Sequence, residues 1–385
     1  MNASSQNIGK GGNRKTKILY LSLNPDLNGP LPKIDPLMIS VLNNLGCQIT
    51  KGTWGRHSES ENVFQKLFGR IGDVVKAFVT LARTPYDILY VATTLDEKAL
   101  SRDVPLLLAV YWFTVKKILI EHGSKTTPLS LPGNSMYKFM TRLVVRLTDA
   151  IFLLSTEEIR AWTDFEPRGH YYRVDNPFLP SSTRKTGSFA NTIKKTDSYP
   201  TLLFAGRLLR LKGIFDLLDA MPLILKQIDC RLLIAGYGEE KEEIEHCIAK
   251  ANLQQRVSLL GYLDSEHLAD IYRSTSVFIL PTYYGEGFPT VISEAMSFGL
   301  PIVTTAIRGT ADHLKNEVNT LFVPPRDPQA IASAVVRLLR DPKLCEEMGC
   351  ANLAKVQEFA PENVAPKYSE IFSELLETAR ANNQN

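Results

Sequence analysis

The densest run of chemically capable residues is Tyr283-Tyr-Gly-Glu-Gly-Phe-Pro-Thr-Val-Ile-Ser-Glu-Ala-Met-Ser-Phe-Gly-Leu-Pro301. Glu286 stands between Gly285 and Gly287, and Glu294 follows eight residues later. Glycines allow close backbone approach and φ angles that other residues avoid. Pro289 and Thr290 suit a helix start, because the missing proline N–H costs nothing there and a threonine hydroxyl can cap. Gly299 and Pro301 stop that helix after about two turns. A glycine-flanked loop entering a helix N-terminus presents N–H groups and the positive end of a dipole, which suits a diphosphate. The two carboxylates would face the same ligand as acceptors for hydroxyls, such as those of a sugar or a ribose.

A second constellation is Phe204-Ala-Gly-Arg-Leu-Leu-Arg-Leu-Lys-Gly213. The apolar run Thr201–Ala205 reads as a strand ending at Gly206, so Arg207 emerges at its carboxyl end. Lys212 and Gly213 precede a helix expected to run through Ala220. Two cations on a strand-to-helix turn can neutralise a departing diphosphate without a metal, although such a pair in isolation is equally well surface charge. Ala235-Gly-Tyr-Gly238 is half of a dinucleotide fingerprint, lacking the third glycine and the later acid.

Glu286 through Glu294, with Gly-Glu-Gly-Phe-Pro and Glu-Ala-Met…Gly-Leu-Pro around them, resembles the E-x7-E signature of the family-four retaining glycosyltransferases, or glycosyl transferases group 1. The resemblance spans roughly Thr201–Leu339. It implies that Glu286 contacts the transferred sugar and Glu294 the ribose hydroxyls. It further implies that Arg207 and Lys212 clamp the diphosphate. Gly206, Gly287, Phe288, Pro289, Thr290, Tyr262 and Leu263 would line the donor site, largely through backbone. His122, in Glu121-His122-Gly123 after a strand, matches a histidine facing the donor sugar. The family's acceptor loop usually has paired glycines; this chain has Asn28-Gly29-Pro30, with Gly29 the corresponding residue. The implied reaction moves a sugar from a nucleoside diphosphate sugar to a hydroxyl of a glycan or lipid-linked acceptor, with retention at the anomeric carbon. Surface polysaccharide or glycoconjugate synthesis is the expected setting. No cofactor and no divalent metal are expected, and no Asp-x-Asp occurs. Two alternatives stay open: a non-catalytic scaffold in a polysaccharide assembly complex, and an epimerase or phosphorylase on the same frame.

These residues need strands and turns to hold them. Lys17–Leu23, Asp87–Val91, Lys117–Ile120 and Ala150–Leu154 read as buried strands, with helices at Asp35–Leu45 and Val104–Val115. The alternation restarts at Thr201–Ala205, Arg231–Ala235, Val257–Leu260, Val277–Leu280, Pro301–Thr304 and Leu321–Val323. Alternating strands and helices mean parallel sheets with right-handed crossovers. Ligands collect at the carboxyl ends of such strands, where Asn24, Thr93, His122 and Ser155 would lie. The expected fold is therefore two Rossmann-like doubly wound domains facing a central cleft, the GT-B arrangement of the resembled family. Residues 1–180 would form the acceptor-side domain, 181–200 a Ser/Thr/Lys-rich linker acting as a hinge, and 201–365 the donor domain. Residues 366–385 would form a helix returning to the first domain.

A chain of 385 residues with 44% hydrophobic and 22% charged residues is an ordinary globular composition. The net charge of +3 is uneven: 22 Lys and Arg meet 16 Asp and Glu through Pro180, and 22 meet 25 thereafter. Val63–Ala82 carries a helical apolar stripe with Lys66, Arg70 and Lys76 beside it, and Met136–Leu147 spaces Lys138, Arg142 and Arg146 four apart. Such segments fit a basic amphipathic surface resting on an anionic membrane, or equally a core-facing helix with solvated cations. The run Val104–Val115 is too short to span a bilayer and is expected to be a buried helix. Five scattered cysteines without a C-x-x-C pair read as reduced thiols, and Met1–Lys17 lacks the apolar core of a signal peptide. The expectation is a cytoplasmic protein, at the inner face of the membrane if the amphipathic surface is real. Basic residues are not interleaved with aromatics in any recognisable module, so no nucleic-acid partner is expected.

Overall fold

A computed structural model describes residues 15–24, 31–55, 57–58, 62–122, 129, 133, 135–180 and 199–382. Two compact units divide the chain. The first comprises Met1–Leu179, Gly285–Gly287 and Phe359–Asn385; the second comprises Pro180–Tyr284 and Phe288–Glu358.

In the first unit, β1 (Lys17–Ser22), β2 (Gln48–Thr53), β3 (Ile88–Thr93), β4 (Lys116–Glu121), β5 (Ala150–Leu153) and β6 (Tyr171–Arg173) form a parallel sheet. Their order is β2-β1-β3-β4-β5-β6. Every residue of β3 is buried, as expected of a strand covered on both faces. The helices are α1 (Leu31–Asn44), α2 (Val63–Arg83), α3 (Glu97–Ala109), α4 (Ser135–Leu147) and α5 (Thr156–Phe165). Residues of α2, α3, α4 and α5 share one core with Leu89, Val91 and Leu119 on one face of the sheet.

The second unit repeats the plan with β7 (Thr201–Ala205), β8 (Arg231–Ala235), β9 (Val257–Gly261), β10 (Val277–Leu280), β11 (Ile302–Thr304) and β12 (Leu321–Phe322). Between and after them run α6 (Ile214–Leu225), α7 (Lys241–Lys250), α8 (Ser265–Ser274), α9 (Thr290–Ser297), α10 (Arg308–His313), α11 (Pro328–Arg340) and α12 (Pro342–Lys355). The order β12-β11-β10-β7-β8-β9 reverses between β7 and β10. That reversal is the topological switch point at which doubly wound sheets bind ligands. The chain then returns to the first unit. Helix α13 (Pro361–Asn382) inserts Tyr368, Phe372 and Leu375 into a core with Tyr20, Tyr90 and Phe152.

Several expectations change. The helix expected over Val104–Val115 spans Glu97–Ala109, because the Asp96 carboxylate accepts from Ala99 N–H and starts it early. Its end is not buried: Leu108, Tyr111 and Trp112 are exposed. Strand β2 was not apparent from the sequence, since Gln48-Ile-Thr-Lys-Gly-Thr53 is a half-exposed edge with few apolar residues. The returning helix begins five residues before the expected Pro366.

Candidate functional site

Strand β7 is followed by Gly206, whose N–H donates to Ala235 O (3.0 Å), while Leu208 N–H donates to Tyr237 O (2.8 Å). The main chains after β7 and β8 therefore run in contact. A Cβ on Gly236 would lie 1.8 Å from Gly206 O, and its φ of +149° is open only to glycine. The Gly-Tyr-Gly turn thus serves strand-end packing directly.

Arg207, exposed, points its guanidinium carbon over the Tyr284 ring at 5.9 Å, and Lys212 Nζ lies 5.2 Å from the same ring. Lys212 belongs to a 3-10 turn, Arg210–Lys212, and is buried. Tyr283 N–H donates to Leu211 O (2.8 Å) and Thr282 Oγ1 to the same carbonyl (3.4 Å), so the loop after β10 is tied to that turn. The adjacent Tyr283 ring meets Arg326 at 4.9 Å. Three cations thus gather on two consecutive tyrosines, two of them beside the switch point. Arg326 and the tyrosine rings were not singled out from the sequence; the Tyr-Tyr pair next to the glutamate loop was the available signal.

Helix α9 starts as expected at Thr290, but Pro289 is the N-cap residue and no side chain caps it. The threonine hydroxyl expected to cap does not do so. A tilted ring contact stands at the entry: Phe288 lies 5.0 Å from the buried His313. One turn in, Glu294 accepts a hydrogen bond from Tyr272 Oη (3.1 Å), and Tyr272 stacks on Phe298 at 5.2 Å. Burial, then the Glu294 charge, pushes the Tyr272 phenol well above its ordinary value, so it remains a donor that orients the carboxylate. Tyr262, exposed, makes an edge contact with Tyr237 at 5.8 Å, and Leu263 is half-buried beside it.

Glu286, half-buried, and Gly287 belong to the first unit's contacts. A Cβ on Gly287 would sit 2.3 Å from Leu154 Cβ. His122 follows β4, its N–H donating to Thr93 O (3.0 Å). Its Nδ1 is buried without a hydrogen bond, and burial pulls the imidazole down to about 4. At neutral pH it is an uncharged ring able to hydrogen-bond a hydroxyl. The neighbouring strand ends are occupied structurally. Thr93 donates to buried Asp103, and Ser155 caps α5 by accepting from Glu158 N–H (3.2 Å). Gly29 lies outside the described residues. Among the described residues, no group of three or more His, Cys, Asp or Glu could hold a metal ion.

Residues 188–353 match the family model described as glycosyl transferases group 1. This segment, somewhat under half of the chain, is similar to the group 1 glycosyl transferases. Over 154 residues the chain is 36% identical to an uncharacterized glycosyltransferase of Methanocaldococcus jannaschii, covering 40% of this chain and 39% of that protein. The chain also spans less than two thirds of the length of the other leading curated relatives. Among solved structures, the sucrose-phosphate synthase of Thermosynechococcus elongatus superposes with a TM-score of 0.74 at 21% identity. That match covers 94% of this chain and 100% of the other. HepE of Anabaena, solved with UDP, gives 0.67 at 17% identity over 93% of this chain and 100% of the other. At these identities the likeness is one of fold, and the fold is GT-B.

Proposed function

We propose that this protein is a retaining, metal-independent glycosyltransferase that moves a sugar from a nucleoside diphosphate sugar to a hydroxyl of a glycan or lipid-linked acceptor. The observation that carries the reading is the pair Arg207 and Lys212, both on the Tyr284 ring where the strand order reverses. Two fixed cations beside an uncapped helix start can take up the charge of a leaving diphosphate. The UDP in the HepE structure makes UDP the first nucleotide to try. In this reading Glu286 and neutral His122 accept or share hydroxyls of the sugar, and Glu294, oriented by Tyr272, holds the ribose. Gly206, Gly287, Phe288, Pro289, Thr290, Tyr262 and Leu263 line the donor through backbone and ring surface.

The bond from the anomeric carbon to the diphosphate oxygen breaks, and the acceptor oxygen bonds the same face of that carbon. The acceptor's proton passes to a diphosphate oxygen, so no side chain need act as nucleophile. The product enters surface polysaccharide or glycoconjugate synthesis, with the protein working in the cytoplasm at a membrane surface.

The test is UDP protection against thermal unfolding, followed by turnover of a panel of UDP-sugars with and without chelator. Arg207→Ala and Lys212→Ala should each weaken UDP by about 2 kcal/mol, roughly thirtyfold, since each removes a charge-assisted contact. UDP affinity unchanged from the parent protein in both variants, or an inverted product anomer by NMR, would sink the reading.

A further inference from the structure

The first unit leaves an apolar helical surface uncovered. On α2, Phe64, Phe68, Ile71, Val75 and Phe78 are all exposed, while Ala77 and Leu81 enter the core. The outward stripe advances by four and three residues, so it lies along one side of the helix. The end of α3 adds Leu108, Tyr111 and Trp112, the last 87% exposed. Phe113 turns back to meet Phe78 edge-on at 5.4 Å, joining the α3 end to α2. Helix α4 adds Met136 and Phe139. All three helices cover the same face of the sheet. Isolated exposed apolar residues need no explanation, but a cluster of this size marks an interaction surface.

The charge on these helices selects the occupant. Helices α2 and α4 carry seven Lys and Arg and one acidic residue, Asp73. Asp73 is buried, with His57 Nε2 at 3.0 Å. From the neighbouring α5 end, Glu166 lies 3.8 Å from Arg142 and 3.4 Å from Arg146, one carboxylate against two guanidiniums. The surface charge of the two helices is therefore positive. A second copy of this chain would set positive helices against positive helices, which disfavours a dimer through this face. Exposed Trp, Tyr and Phe among basic residues suit the headgroup region of a bilayer, where rings enter the acyl boundary and cations meet anionic lipid. No helix of the described residues is long and apolar enough to cross a membrane, so contact through these helices would be interfacial.

We propose that the outer face of α2, α4 and the α3 end is a docking surface for an anionic lipid bilayer, with Trp112, Phe68 and Phe139 as its inserted anchors. The proposal rests on the glycosyltransferase reading only for its purpose, which is to bring a lipid-linked acceptor to the enzyme. The surface itself is argued from burial and charge.

Trp54 and Trp162 are buried in the core, so a change in tryptophan emission on vesicle addition reports Trp112. The full chain is titrated with vesicles of phosphatidylcholine alone, or with roughly a quarter phosphatidylglycerol, a fraction that gives the negative surface potential the cations require. The expected result is binding to the anionic vesicles only, a blue-shifted emission quenched by brominated lipid, and loss of binding in high salt. Phe68→Ser, Trp112→Ser and Phe139→Ser should each lower vesicle affinity by about tenfold, the value of one buried aromatic ring. All three sites are exposed, so Tm and UDP protection should not move. Equal binding to neutral vesicles, or none to anionic ones at low salt, overturns the proposal. So does a concentration-dependent dimer that the same variants dissolve, which would make the face a protein interface. UDP protection without vesicle binding defeats the docking surface alone; vesicle binding without UDP protection defeats the proposed function alone.

Discussion

In the first unit the end of β3 is closed by side chains. Buried Asp103 receives hydrogen bonds from Trp54 Nε1 (3.0 Å), Arg102 Nε (2.9 Å) and the Thr93 hydroxyl. In the second unit the end of β7 is closed by main chain, with Gly206 and Leu208 bonded to the turn after β8. The outer surfaces differ as well. Large apolar side chains stand exposed along α2, α3 and α4, whereas exposed apolar residues of the second unit, such as Tyr237, Tyr262 and Val318, lie outside its α-helices. A side-chain closure can be re-aimed by substitution with little movement of backbone. A main-chain closure holds cations and tyrosines to one geometry. The unit carrying the two-cation cluster is the one with the less adjustable frame, and the unit with the open surface is the more adjustable one.

If that contrast is right, the harshest single change lies in the second unit. Gly236→Ala places a methyl against Gly206 O and forces a left-handed backbone, costing about 5 kcal/mol from clash and strain together. Chemical denaturation should show that loss together with loss of UDP protection; a near-neutral effect would mean the β7 and β8 ends are not locked. Next in size is Asp103→Ala in the first unit. Removing the acceptor from a buried network that includes a guanidinium should cost about 4 kcal/mol. UDP protection at temperatures where the protein stays folded should survive, and its disappearance would show that the closures are not separate.

The third effect is a pH dependence. Burial holds His122 near 4 in the folded chain, against an ordinary value of 6.5. Between those values the unfolded chain binds the proton and the folded chain does not, so stability rises with pH across that window. About 3 kcal/mol should be lost as pH falls from roughly 6.5 to 4, and His122→Gln should flatten that part of the profile. An unchanged slope would place the imidazole in water. The smallest effect is Tyr272→Phe, which removes one hydrogen bond to Glu294 and should cost about 1 kcal/mol of stability. If Glu294 holds a ribose, this variant should also weaken UDP relative to an isolated pyrophosphate. Parallel losses for both ligands would remove Glu294 from ribose binding.

Much of this was legible in the sequence, and the residues explain why. Strands β7, β8 and β10 are continuous apolar runs followed by turn residues, a pattern few other structures produce. That Glu286, Glu294, Arg207 and Lys212 follow strand ends could be read from loop and helix spacing, while the roles expected of them come from the family resemblance. Tyr272 could not, because its partnership with Glu294 depends on how α8 packs against α9. Helix α3 was displaced because its first turn is polar and its end continues into the apolar Val-Tyr-Trp-Phe, so the pattern pointed past the true stop. The α2 stripe was visible, but periodicity shows only that a helix has an apolar side. Ala77 and Leu81 turn inward from a second, narrower strip, and only packing reveals which strip meets the core.

The return of α13 to the first unit has a consequence for how the protein is made. Val364, Tyr368, Phe372 and Leu375 belong to the same core as Tyr20 and Tyr90. A ribosome completes Leu179 long before it reaches those residues, and at about 5–20 residues per second the interval is roughly 10–40 s. Through that time α1 and one face of the first sheet lack their cover, while the second unit completes its chain at Glu358 and can close before α13 is made. The later domain in the sequence is therefore the one free to finish first, and the nascent first unit is the natural client for a chaperone.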